Sequence, residues 1–182
     1  MNTLTQISDT VYHGTIDVIS SIDVSKGRSN KDFGKGFYMA VEKSQAIGMM
    51  NKKFNEAVRR TKSKDLNQFS KHLYEIKLKK ELFPTLKIKY FTRPDMEWLN
   101  FILLCRSSKS IIHTYDLVIG ATADDNTTLC LKYYFDGIYG KAGSDDAKKI
   151  LMQNLEVGNL GIQYYIGKQE VADKLILNIR EL

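Results

Sequence analysis

The sequence predicts one α+β domain spanning residues 1–182, on three observations. Short alternating or β-branched runs lie toward both ends of the chain, segments of helical periodicity lie between them, and no repeat or low-complexity linker interrupts the pattern. A chain of this length buries most of its unfolded apolar surface and folds without staples.

"DTVYHGT" is β-branched and alternating and closes on a glycine, so it is expected to be a strand, as is "GFYMA". "EKSQAIGMMNKKFNEAVRR" places Ala46, Met49, Met50, Phe54, Ala57 and Val58 at helical spacing opposite a basic face. "LYEIKL" and "LKIKYF" alternate on either side of Phe83-Pro84 and are expected to pair as a hairpin. Pro94 is placed in the first turn of a helix, "DMEWLNFILLCR", buried through Met96, Trp98, Leu99, Ile102 and Leu103. "YDLVIGA" reads as a buried strand. "NTTLCLKYYFDG" and "DDAKKILMQNL" read as helices with Asn126 and Ser144 as caps, and Asp124-Asp125 as further cap candidates. "GIQYYIG" and "QEVADKLILNI" complete the chain as strand, helix and strand.

The longest uninterrupted apolar run is "FILLC" at 101–105, far short of the roughly 20 residues a membrane span needs. The first twenty residues lack a basic start followed by an apolar block, so no membrane association is expected and the localisation is expected to be cytoplasmic. Cys105 and Cys130 lie in apolar segments without metal-ligand spacing, which predicts inert thiols and no metal site. The net charge of +6 is concentrated: residues 51–93 hold thirteen Lys and Arg against four Asp and Glu. Such a run either forms a solvated face or attracts an anionic partner, nucleic acid among them.

Chemistry enters with "YHGT" at 12–15, "KGR" at 26–28 and "FGKGFYMA" at 33–40 followed by "EKSQA". In that order they resemble the ADP-ribosyltransferase superfamily, in the His-Tyr-Glu branch shared by diphtheria-toxin-like enzymes and poly(ADP-ribose) polymerases. Together with "EWLNF", "YDLVIGATADD" and the late "Q-aromatic" strand, the chain is similar over nearly its full length to a family of small bacterial domains of that fold. The resemblance implies a split β-sandwich, two small sheets facing each other around an NAD cleft with helices outside. It further implies NAD as co-substrate, mono-ADP-ribosyl transfer to a macromolecular acceptor, a toxin or effector role, and a restraining partner protein.

Residue by residue, His13 matches the group that hydrogen-bonds a ribose hydroxyl, and Gly14 the position whose main chain grips the nicotinamide carboxamide. Thr15 supports that pocket, Tyr38 stacks on the nicotinamide ring, and Arg28 is the candidate for a pyrophosphate contact. The resemblance is broken at two positions. Met49 stands where the polymerases bring a second aromatic, and Gln163 stands where they have a glutamate. An amide accepts a hydroxyl hydrogen bond but supplies neither a base nor a negative charge. The catalytic set implied is His13, Tyr38 and Gln163, with Glu170 a rival for the missing acid. Phe33 and Phe37 are assigned to the core, and no role is derived for Glu97. Two other readings are kept: a catalytically silent nucleotide-binding or interaction module of the same fold, and a nucleic-acid-directed transferase.

Overall fold

A computed structural model describes residues 7–61, 68–109, 112–123, 125–155 and 160–182. The elements follow as β1 (Thr10–Thr15), β2 (Phe37–Ala40), α1 (Lys43–Arg60), β3 (His72–Leu78), β4 (Ile88–Tyr90), α2 (Met96–Ser107) and β5 (Leu117–Ala121). Then come α3 (Asp125–Phe135), α4 (Asp145–Asn154), β6 (Ile162–Ile166), α5 (Gln169–Leu175) and β7 (Ile176–Glu181). The chain is α+β, as the pattern predicts.

The seven strands form one mixed sheet in the order β4-β5-β6-β2-β1-β3-β7, antiparallel throughout except for β4 with β5. Its continuity is uneven. β1 pairs with β3 at six positions and β2 with β6 at four, whereas β1 and β2 meet in register only at Tyr12 and Ala40. The structure therefore has one continuous sheet where the split-sandwich expectation has two facing sheets, because β1 and β2 still pair, though at a single position, a narrow seam.

Alternation along the strands divides the core. One face carries Val11, Met39, Ile76, Leu117, Ile119, Tyr164 and Ile166, and Val171, Ala172 and Leu175 of α5 cover it. The other carries Val118, Ala121 and Tyr165 under Trp98, Leu99 and Ile102 of α2, Leu131 of α3 and Leu151 of α4. Trp98 is fully buried, and its indole N–H donates to the Ala121 carbonyl at 3.1 Å, fastening α2 to the end of β5.

Ser144 caps α4 by accepting from the Ala147 amide, as the sequence predicts. At α2 the cap is Asp95, which accepts from the amides of Glu97 and Trp98, so Pro94 lies just outside the helix rather than in its first turn. Asn126 lies inside α3 instead of capping it, and Asp124 is outside the described residues. The expected hairpin of "LYEIKL" and "LKIKYF" does not form. A 3₁₀ turn, Lys80–Thr85, buries Phe83 under the sheet and carries the chain from β3 near one edge to β4 at the other. This separation also disperses the basic run, which lands on α1, on β3 and at the far edge. There Lys89 pairs with Glu97, and the backbone N–H of Lys87 donates to Asp116. No helix among the described residues is long and apolar enough to cross a membrane.

Removing the fully buried Trp98 indole leaves a large void between α2 and the sheet, so Trp98→Ala is expected to cost about 3–5 kcal/mol in urea unfolding. Trp98→Phe, which keeps most of the buried ring and loses the hydrogen bond, is expected to cost less than half as much. Equal losses in the two variants would contradict the packing assignment.

Candidate functional site

The segment "DFGKGFY" forms the centre of the site, and its first residue anchors it. Asp32 is buried. Its Oδ1 accepts from Arg106 Nε at 2.9 Å and from Arg106 Nη2 at 2.6 Å. Its Oδ2 accepts from the Ala123 amide at 2.9 Å and from Gln163 Nε2 at 2.8 Å. One carboxylate therefore joins the loop before β2 to the C-terminal end of α2, the residues after β5 and the strand β6. Asn30 strengthens the α2 junction by donating to the Arg106 carbonyl at 2.7 Å. A carboxylate is stable in such a place because every lone pair meets a donor and the guanidinium answers its charge.

The rest of the segment closes on itself. The Tyr38 hydroxyl accepts from the Phe33 amide at 3.0 Å and donates to the Gly34 carbonyl at 2.7 Å. Burial pushes the phenol's pKa well above its ordinary value, so it remains a neutral donor. Gly36 is needed for close approach: a Cβ there would stand 2.4 Å from both the Ile166 carbonyl oxygen and the Tyr165 ring. The Tyr38 ring lies 5.2 Å from that of Tyr165 and 6.4 Å from that of Phe33.

Across the seam stands the "HGT" strand. His13 Nδ1 lies 2.7 Å from the Tyr38 carbonyl oxygen, so the proton sits on Nδ1, and Nε2 carries the lone pair. The imidazole stacks on Phe37 at 4.6 Å. Burial, and then the ammonium of Lys53 3.5 Å from Nε2, lower its pKa to about 4. His13 is therefore neutral at physiological pH.

Gly14 owes its lack of a side chain to α1: a Cβ would come within 1.9 Å of the Ala46 carbonyl oxygen and 2.9 Å of Met50 Cβ. Its N–H and C=O point away from β3. Leu73, its partner across β3, accepts with its carbonyl from Leu182 on the side of β7, so Gly14 and Leu73 form a non-hydrogen-bonded pair. The Gly14 N–H and C=O consequently face the seam, where the carbonyl accepts from Lys53 Nζ at 3.0 Å. Lys53 is half-buried, and desolvation, opposed by the carboxylate of Asp17 and aided by the charges of Arg28 and Lys31, lowers its pKa to about 8.

The structure brings Tyr38 and Gln163 to the same face of neighbouring strands, through the pairs Tyr38 with Tyr165 and Ala40 with Gln163. His13 is not brought to that face: it bonds the Tyr38 backbone, and its ring lies on the opposite face beside Phe37. Thr15 is buried, and its hydroxyl accepts from the Asp17 amide at 3.2 Å, holding the turn after β1. Arg28 is exposed in the loop after the 3₁₀ turn Val24–Lys26. Met49 is half exposed, and Met50, one residue on, is the methionine against Gly14. Phe33 is fully buried as expected, Glu170 lies exposed in the first turn of α5, and Glu97 pairs with Lys89 at the far edge. Cys105 is buried with its thiol pushed up to about 12, Cys130 is unpaired, and no metal-holding group occurs among the described residues. Two shallow hollows, of about 300 Å³ beside Leu104 and Phe135 and about 520 Å³ beside Pro94 and Met152, are lined by none of these site residues.

Asp32, Arg106 and Lys53 are the participants that sequence reasoning missed. The one signal for Asp32 is an acid placed directly before a Phe-Gly pair at the start of a buried segment. Fold and site together define a mixed α+β domain with one seven-stranded sheet whose sparse β1–β2 pairing is lined by polar groups. Over residues 10–177 the chain matches the model of a family described as "Protein of unknown function (DUF3990)", and it belongs to that family. No curated protein and no solved structure matches it.

Arg106→Met leaves the Asp32 charge buried and unanswered, with an expected cost of about 3–5 kcal/mol. Asp32→Asn in the same background should recover part of that loss in a double-mutant cycle, and strict additivity would deny the coupling. The His13 pKa is lowered in the folded state below its unfolded value of about 6.5. Its contribution to stability is therefore complete above pH 6.5 and declines as the pH falls toward 4, where the unfolded chain binds a proton the folded chain refuses. An NMR titration of His13 should give a midpoint near 4, and a midpoint at or above 6 would contradict the burial.

Proposed function

We propose that this chain is an NAD-dependent mono-ADP-ribosyltransferase that modifies a macromolecular acceptor, as a toxin or effector held in check by a partner protein. The observation that carries the reading is the seam. The N–H and C=O of Gly14 point away from β3 toward the Tyr38 segment, where an amide of a ligand can take one bond from the N–H and give one to the C=O.

NAD supplies an activated ribosyl group whose positively charged nicotinamide is the leaving group. The chain's residues bind and orient around that chemistry. His13, neutral and with its proton held by the Tyr38 carbonyl, offers Nε2 as an acceptor for a ribose hydroxyl. Gln163 has its amide nitrogen committed to Asp32 and, at 3.4 Å, to the Ala121 carbonyl, so its amide oxygen is the end that accepts from a ligand hydroxyl. Tyr38 is fixed by the two bonds of its hydroxyl, with its ring against Tyr165 and Phe33, and on this reading a nicotinamide stacks only on the part of the ring those neighbours leave uncovered. Arg28 and Lys31 supply positive charge near Lys53 on the loop before β2, suited to a pyrophosphate.

A second reading, a nucleotide-binding module without transfer, is favoured by one feature. Gln163 is uncharged, and Arg106 already answers the charge of Asp32, the acid beside it. The dispersal of the basic run over α1, β3 and the far edge weakens its use as one nucleic-acid surface.

The test offers host lysate, treated with nuclease or with protease, to the purified chain and NAD labelled in its adenylate part. Label transfer with release of nicotinamide is expected. Gln163→Ala also removes a donor to Asp32, so urea unfolding is read beside it, and a loss on the order of 10²-fold in transfer rate with stability and NAD binding little changed is the pattern of a lost transition-state hydrogen bond. Binding without transfer or nicotinamide release would select the silent module, and absence of binding would refute both readings.

A further inference from the structure

We infer that Lys53 selects what binds at the Gly14 carbonyl: its ammonium occupies that acceptor in the empty site and is displaced only by a ligand that brings its own neutral amide donor. This rests on the role proposed above for Gly14. The geometry is specific. α1 lies directly on Gly14, with the Ala46 carbonyl and Met50 filling the space a side chain would take. Lys53 follows Met50 by three residues on the same helix. Because helical side chains tilt back toward the helix N-terminus, its chain returns over the seam to place Nζ 3.0 Å from the Gly14 oxygen and 3.5 Å from His13 Nε2.

Two neutral groups, a carbonyl and an imidazole, are the ammonium's hydrogen-bond partners, and no carboxylate stands within ion-pair distance among the described residues. Asp17 attracts it at longer range, while Arg28 and Lys31 repel it. A lysine held this way is displaced more readily than one in an ion pair. Its departure is also required, because a ligand amide donating to the same carbonyl fills the same direction in space. The discrimination follows from charge. With Lys53 in place, a ligand that presents a cation at the seam without an amide meets an ammonium and gains nothing in return. A ligand that presents a carboxamide replaces the lost hydrogen bond and lets the ammonium retreat toward Asp17 and solvent.

The experiment is calorimetry of nicotinamide, NAD and ADP-ribose on the full chain and on Lys53→Met and Lys53→Gln. Lys53→Met removes the competing donor and leaves the Gly14 carbonyl without one, so nicotinamide should bind about tenfold tighter than to the unmodified chain. Lys53→Gln keeps a neutral donor and should fall between the two. ADP-ribose lacks the amide and gains only the His13 Nε2 that Lys53 vacates, so it should change less than nicotinamide, and equal tightening of the two would overturn the inference. Nicotinamide affinity that is unchanged or weaker in both variants would overturn the inference, the weaker case making Lys53 a ligand contact instead of a competitor. Binding of neither nicotinamide nor NAD by any of the three proteins would overturn the reading of Gly14 itself, and the inference with it.

Discussion

The site depends on a single buried carboxylate. Asp32 receives four donor contacts, and they come from three elements far apart in the chain: Arg106 at the end of α2, Ala123 after β5, and Gln163 in β6. Desolvating a carboxylate is costly, and the cost is offset only when all of its donors arrive together. The loop before β2 therefore has one low-energy place to lie. Because Phe33, Gly34 and Tyr38 are tied to one another, fixing Asp32 also fixes the Tyr38 ring against Tyr165 and Phe33.

The seam is the complement of that rigidity. A sheet of seven strands ordinarily satisfies its interior backbone strand by strand, yet β1 and β2 meet at one pair only. α1 accounts for the divergence on one side, seated so closely on Gly14 that no side chain fits between. The Asp32 loop accounts for it on the other, holding β2 toward β6. Main-chain polar groups left facing a gap must find other partners. His13 supplies one for Tyr38, and Lys53 supplies one for Gly14. The polar side chains at the seam are thus a consequence of how sparsely β1 and β2 pair.

How much of this the sequence discloses depends on the range of the interaction. Helices set by local periodicity and caps were legible: α1 from its spaced apolar positions, and α4 from Ser144. The β3 and β4 segments were legible as strands but not as partners, because pairing is decided by where Phe83 is buried, and alternation carries no information about that. The resemblance marks Gly14 by its main chain, whereas the tight seat of α1 on it, which leaves no room for a side chain, is visible only in the structure. Asp32 and Arg106 stand 74 residues apart, and Asp32 and Gln163 stand 131 apart, so nothing in either neighbourhood announces the network. Lys53 is hidden for another reason: in sequence it is one cation in a basic run, and only its reach back to Gly14 separates it from its solvated neighbours.

The network also bears on why position 163 holds an amide. The Gln163 nitrogen donates to Asp32 Oδ2 at 2.8 Å within the buried core of the site. A glutamate there would turn that donor into an acceptor and set two carboxylates against each other out of water. One of them would then be forced to take up a proton or the loop would lose its anchor. Glutamine keeps the shape, donates to the buried acid and leaves its oxygen as an acceptor. On the proposed function, the departure from the His-Tyr-Glu pattern is therefore coupled to Asp32: the acid that anchors the loop excludes a second acid beside it. On that same proposal, the charge would be met by hydrogen bonding to the ribose and by the acceptor's own nucleophile, which suits transfer of a single group over building a chain.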